Sequence, residues 1–143
     1  MKQFLLYYLL FLSMNAFSQI KTSIIEIIGN KNDFNQKEVI ITGFMTTEYE
    51  GMSIYLNAND YLTKNTKNAI YVYLSSNHSK NLRSIFKNGY VEICGNYTSQ
   101  LNGHFNDYNG GLVDIKFVRI ISIENIENLN FELIDTIRFD ENE

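Results

Sequence analysis

The chain has 143 residues, with 12 Lys and Arg against 16 Asp and Glu, no Pro, no Trp and one Cys. A net charge of −4 argues against phosphate-rich partners, because nucleic-acid affinity rests mainly on basic side chains that neutralise phosphates. A single cysteine excludes an intramolecular disulfide, so stability must come from packing, for which a chain of this length is large enough.

The first eighteen residues carry Lys2, an apolar run from Phe4 to Leu12, and Ala16, Phe17 and Ser18 ahead of Gln19. A basic start, a short apolar centre and a small-residue exit make the pattern of a cleavable secretory signal. The run is shorter than the roughly 20 residues a spanning helix requires, and no second such run follows. Gln19 occupies the place where a lipid-accepting cysteine would stand. The sequence therefore predicts a signal peptide at 1–18, cleavage near Ser18 and Gln19, and a periplasmic or secreted chain with no membrane span and no lipid anchor. Loss of 1–18 removes one charged residue, Lys2, which leaves 11 basic against 16 acidic residues and a net charge of −5.

Ser23 and Glu26 have capping-box spacing, and Ile24, Ile25, Ile27 and Ile28 precede Gly29 and Asn30, which predicts a short helix over 23–29. After the polar stretch 32–37, Val39 to Thr46 reads as a first strand with Gly43 in its middle. Glu48, Tyr49, Glu50 and Gly51 form a hairpin connection to a second strand, Met52 to Leu56. The Asn-rich segment 57–67 leads to a third strand, Ala69 to Leu74. Leu82, Ile85 and Phe86 then recur at helical spacing, predicting a helix over 76–88 stopped by Gly89. A fourth strand, Tyr90 to Thr98, a loop 99–109 and a fifth strand over 110–121 follow. The tail 122–143 ends acidic, yet Phe131, Leu133, Ile134, Ile137 and Phe139 suit it to pack on the domain, as helix or as strand.

One internal echo organises these elements. Val39, Ile41, Gly43, Thr46 and Gly51 recur at identical spacing as Val91, Ile93, Gly95, Thr98 and Gly103. Two strands that both need a mid-strand glycine fit the sharp coiling of a small closed barrel. Three antiparallel strands, a helix and two more strands is the order of a five-stranded OB-like barrel, in which the first and fourth strands are neighbours. The predicted fold is mostly β, with that barrel over 19–121, a short N-terminal helix, a helix between strands three and four, and a C-terminal extension over 122–143. An open sheet or sandwich with one helix is the alternative, though it gives the repeated glycine no role.

The polar stretch Asn32 to Lys37, the strand carrying Val39, Ile41 and Gly43, the loop Glu48 to Gly51, Ile54 to Leu56, Asp60 and Tyr61, and Lys67 to Ile70 together resemble a group of small uncharacterised bacterial proteins. Gly89 to Val91, Gly95, Gly103, His104, Gly110 and the strand from Leu112 to Ile120 continue the resemblance, which covers roughly 24–121. It implies an OB-like binding fold and no catalytic mechanism.

On such a barrel, ligands lie on the face of strands two and three, flanked by the loops after strands one and four. That places Tyr55, Tyr71 and Tyr73 on the candidate face, since Ile70, Val72 and Leu74 take the opposite, core-facing parity. The first flanking loop brings Glu48, Tyr49 and Glu50, and the second brings His104, Phe105, Asp107 and Tyr108. Each loop also reads as an ordinary solvated hairpin connection. His78 and His104 have no partner at metal-ligand spacing, and Cys94 sits among apolar neighbours as a buried thiol. Phosphate loops, dinucleotide fingerprints and nucleophile elbows are missing, so the reading is of a protein with no catalytic site, no metal and no cofactor. Asn77, His78, Ser79 and Asn96, Tyr97, Thr98 match glycosylation triplets, which arise readily by chance in an Asn-rich chain. The predicted function is an exported binding module for a protein or glycan, with no nucleic-acid partner. The alternative is an inhibitor or immunity-type protein whose acidic surface meets a basic enzyme or toxin in the envelope.

Overall fold

The structure, a computed structural model, describes residues 19–48, 51–101, 103, 107–123 and 131–139. The predicted signal at 1–18 and the predicted contact residues Tyr49, Glu50, His104 and Phe105 lie outside the described residues. The elements in chain order are β1 (Ile20–Lys21), α1 (Ile24–Gly29), α2 (Lys31–Phe34), β2 (Glu38–Thr46), β3 (Met52–Tyr55) and α3 (Ala58–Leu62). A 3-10 turn (Thr66–Asn68), β4 (Ala69–Val72), α4 (Ser76–Ile85), β5 (Asn88–Thr98), β6 (Gly111–Ile123) and β7 (Phe131–Arg138) follow.

β2 pairs antiparallel with both β3 and β5, β3 with β4, and β5 with β6. β4 runs parallel to β6 through Tyr71 opposite Gly111 and Val72 opposite Leu112. The cycle β2-β3-β4-β6-β5 closes on itself, which is the OB-type order and not an open sheet. Val39, Ile41 and Met45 on β2, Ile54 on β3, Ile70 and Val72 on β4, and Val91, Ile93 and Tyr97 on β5 point inward at the period of two and are buried.

The echoed glycines meet across one ladder. β2 and β5 pair so that Val39 faces Gly95, Ile41 faces Ile93 and Gly43 faces Val91, each strand offering its glycine to the other's valine. A Cβ on Gly43 would lie 2.5 Å from the Tyr55 carbonyl oxygen and 2.8 Å from Ile24 Cδ1. The side chain is missing there because strand and helix come too close to leave room for one.

Helices close the barrel core. Ser23 Oγ accepts from the Glu26 amide at 3.1 Å while the Ser23 amide donates to Glu26 Oε2 at 3.2 Å, so the predicted capping box is present. α1 thereby delivers Ile24 and Ile27 to the core. α4 delivers Leu82, and Phe86 follows it inward.

The α4 end differs from the sequence prediction. The helix stops at Ile85, which is exposed, and Asn88 and Gly89 belong to β5. Thr47 is the cause: its amide donates to the Lys87 carbonyl at 2.9 Å and its hydroxyl to the Phe86 carbonyl at 2.8 Å, drawing the chain into an extended path before the glycine. β4 likewise ends at Val72, two residues early, and Leu74 is only partly buried.

The segment 57–68 is structured where the sequence suggested a polar connection. Asn57 caps α3 through the Asp60 amide, and the Asp60 carboxylate collects the side-chain amides of Asn57, Asn65 and Asn68 at 2.8, 2.8 and 3.0 Å. The asparagines form a network around one carboxylate. Outside the barrel cycle, β1 pairs parallel with β2, and the tail forms β7, antiparallel to β6 from Phe117 opposite Arg138 to Ile123 opposite Phe131. Phe139 follows β7 into the core, its ring 4.9 Å from His78.

Candidate functional site

The outward face of the barrel is organised in rows set by strand register. Tyr90, Phe44, Tyr55 and Ala69 form one row across β5, β2, β3 and β4, and Asn88, Thr46, Ser53 and Tyr71 form the next. Side chains on this face would ordinarily meet water. Here Thr46, Ser53 and Tyr55 are only 3, 2 and 5 % exposed.

What covers them comes from elsewhere in the chain. Tyr61 on α3 stacks on Phe44 with ring centroids 5.3 Å apart and meets Tyr55 edge-on at 5.7 Å; Tyr90 meets Phe44 edge-on at 5.4 Å. Burial, helped by hydrogen bonding with Tyr108, pushes the Tyr55 hydroxyl up to about 12. Tyr55 thus lies on the predicted face but beneath its surface.

Tyr71 is half-buried and stands where the two flanking loops meet. A Cβ on Gly51 would lie 2.9 Å from its ring, and one on Gly103 would lie 2.8 Å from it. These are the last two positions of the internal echo, so the repeated glycines bring both loops against one tyrosine. Tyr108 packs on the same ring at 5.7 Å, and Tyr73 and Asp107 are exposed nearby in sequence. The structure therefore groups Tyr71, Tyr108 and the buried Tyr55.

A groove of about 380 Å³ lies on the same barrel face, lined by Thr46, Thr47, Glu48, Tyr61, Arg83, Lys87 and Asn88. Arg83 donates from Nε to the Thr47 carbonyl at 3.1 Å and from Nη2 to the Glu48 carbonyl at 3.0 Å, which ties α4 to the end of β2. Tyr61 donates its hydroxyl proton to Glu48 Oε1 at 2.7 Å, and this bond to a carboxylate raises the Tyr61 pKa. Thr46 Oγ1 is buried and has no hydrogen-bond partner among the described residues.

Of the groove residues, sequence reasoning identified only Glu48. Phe44, Thr46 and Tyr90 carried a usable signal, since each has the parity opposite to the core positions of its strand. Arg83, Lys87 and Asn88 reach the groove through the α4–β5 connection, which no periodicity reveals.

Cys94 is buried, as its apolar neighbours predict, and burial followed by the nearby Glu38 pushes its thiol up to about 11. Among the described residues, no group of three or more His, Cys, Asp or Glu side chains is placed to hold a metal ion, and no helix is long and apolar enough to cross a membrane. Compared with known proteins, the chain matches no family and no curated relative. The barrel fold that the suggested bacterial group implies is present in the structure, while the group itself finds no counterpart in these comparisons.

Proposed function

We propose that the protein is an exported binding module that works by contact and not by chemistry. Its contact surface is the outward face of β3 and β4 with the loops after β2 and β5. The observation that carries this reading is the position of Tyr71, where Gly51 from one loop and Gly103 from the other abut the same ring beside Tyr108. A rigid barrel that brings two loops to one aromatic side chain offers a prearranged contact site. The N-terminal signal pattern supports export, and Gln19 supports a form without lipid. Titrating the isotope-labelled protein with solubilised cell-wall oligosaccharides tests the surface: amide shifts grouped at Tyr71, Tyr73 and Asp107 are expected. Chemical conversion of the oligosaccharides would contradict a non-catalytic role.

The acidic balance of 11 basic to 16 acidic residues after 1–18 favours a second reading, an inhibitor or immunity-type protein for a basic envelope enzyme or toxin. Its signature is a protein partner whose association rate falls steeply with added salt.

A further inference from the structure

We infer that the groove between Tyr61 and the start of β5 is a saccharide subsite. This deepens the reading of the domain as a non-catalytic binder, on which it rests, by naming a ligand class.

The first ground is the Thr46 hydroxyl. Thr46 is 3 % exposed, lines the groove, and its Oγ1 has no hydrogen-bond partner among the described residues. Buried hydroxyls are nearly always bonded, so one left open at a groove floor calls for an outside partner. Its neighbour Tyr61 gives its own proton to Glu48 at 2.7 Å, so toward Thr46 it offers only an acceptor oxygen, and the lone pairs of the Thr46 hydroxyl stay open to a donor from outside.

The second ground is the mixture of groups around that hydroxyl. Glu48 brings a carboxylate, Arg83 and Lys87 bring cations, and Asn88 brings an amide that both donates and accepts. A bare anion would face Glu48, and a bare ammonium would face Arg83 and Lys87. A neutral polyhydroxylated ring suits all of them, since each sugar hydroxyl can accept from a cation or amide and donate to a carboxylate or to Thr46. The groove, at about 380 Å³, lies at the small end of the roughly 300–1,000 Å³ range of small-molecule sites, which fits a short saccharide.

The groove also lies on the same barrel face as the proposed contact surface. Asn88, Thr46, Ser53 and Tyr71 are consecutive partners across β5, β2, β3 and β4. Ser53, between them, is 2 % exposed, so Thr46 and Tyr71 mark two separate openings on that face.

The test is nuclear magnetic resonance titration of the purified protein with glucose, N-acetylglucosamine and glucuronate, alongside acetate, inorganic phosphate and methylammonium as bare charges. At least one sugar should shift the Thr46, Tyr61 and Asn88 amides at millimolar concentration, and none of the bare ions should do so. Thr46→Val and Asn88→Ala should each weaken that sugar about tenfold, a loss of the size expected for one hydrogen bond to a ligand. Thr46→Val should leave the thermal midpoint nearly unchanged, because among the described residues the hydroxyl it removes has no partner at full hydrogen-bond geometry. Silence toward every sugar, equal binding of a bare ion, or undiminished binding by Thr46→Val would overturn the subsite. Shifts confined to Tyr71, Tyr73 and Asp107 would overturn it too while leaving the binding module standing. Turnover of a sugar would instead remove the non-catalytic reading beneath both.

Discussion

Gly43 and Gly95 look equivalent in the sequence and are unequal in their surroundings. A methyl group at Gly43 would press on the Tyr55 carbonyl oxygen at 2.5 Å, and that atom belongs to the β2–β3 ladder and cannot rotate away. At Gly95 the nearest atom is Ile115 Cδ1 at 2.7 Å, the end of a side chain that can turn, with the Val113 carbonyl behind it at 3.0 Å. Overpacking of this kind costs about 1–3 kcal/mol. Gly43→Ala should fall at the upper end of that range and Gly95→Ala clearly below it, read from urea midpoints at a constant slope. Equal losses would mean that barrel coiling alone, and not the local approach of β3 and α1, sets the need for glycine.

The tyrosines show where reading the sequence by parity stops. Ile70 and Val72 face the core and Tyr71 and Tyr73 face outward, as a period of two requires. Tyr55 obeys the same parity and is still buried, because α3 and Tyr108 fold over it. Alternation tells which side of a strand a residue occupies. It carries no information about which distant segment later covers that side.

At the scale of elements, the N-terminal helix was readable because its signal is local: Ser23 and Glu26 are three residues apart and bond each other's backbone. Ser23→Ala should lower stability by about 0.5–2 kcal/mol, the usual effect of losing such a cap. The tail was not readable as strand or helix, because its conformation follows from a partner, the exposed edge of β6, that lies outside the tail itself. Its apolar content did point to packing, and Phe139 is where that packing reaches the core, 9 % exposed and against His78. Phe139→Ala should therefore cost about 3 kcal/mol, near the low end for a buried phenylalanine. A loss under about 0.5 kcal/mol, the range of ordinary surface changes, would show that the barrel folds without its last strand.

For the molecule as a whole, the barrel closure leaves a signature in its response to alkali. Closing five strands and covering their outer face buries Tyr97 inside and Tyr55 outside, and burial pushes both hydroxyls up from 10.0 to about 12. The Cys94 thiol rises from 9.0 to about 11, also mainly through burial. In each case the folded protein holds its proton more tightly than the unfolded chain does. Between the two values the unfolded chain binds fewer protons, so stability falls as pH rises. The contribution is complete below about pH 9, starts to fail as the unfolded thiol and phenols ionise, and is gone once pH passes the folded values near 12. A two-unit shift corresponds to roughly 2–3 kcal/mol, and both tyrosines are buried deeply enough for that scale to apply. Urea unfolding at intervals from pH 8 to 11.5 should show a flat stability up to about pH 9 and a steepening loss above it. Tyr55→Phe should remove about a third to a half of that slope, because a phenylalanine ring fills the same space with nothing to ionise. A wild-type protein equally stable at pH 8 and 11.5 would mean that these tyrosines reach water in the folded state, and that the outer face is open where the structure has it covered.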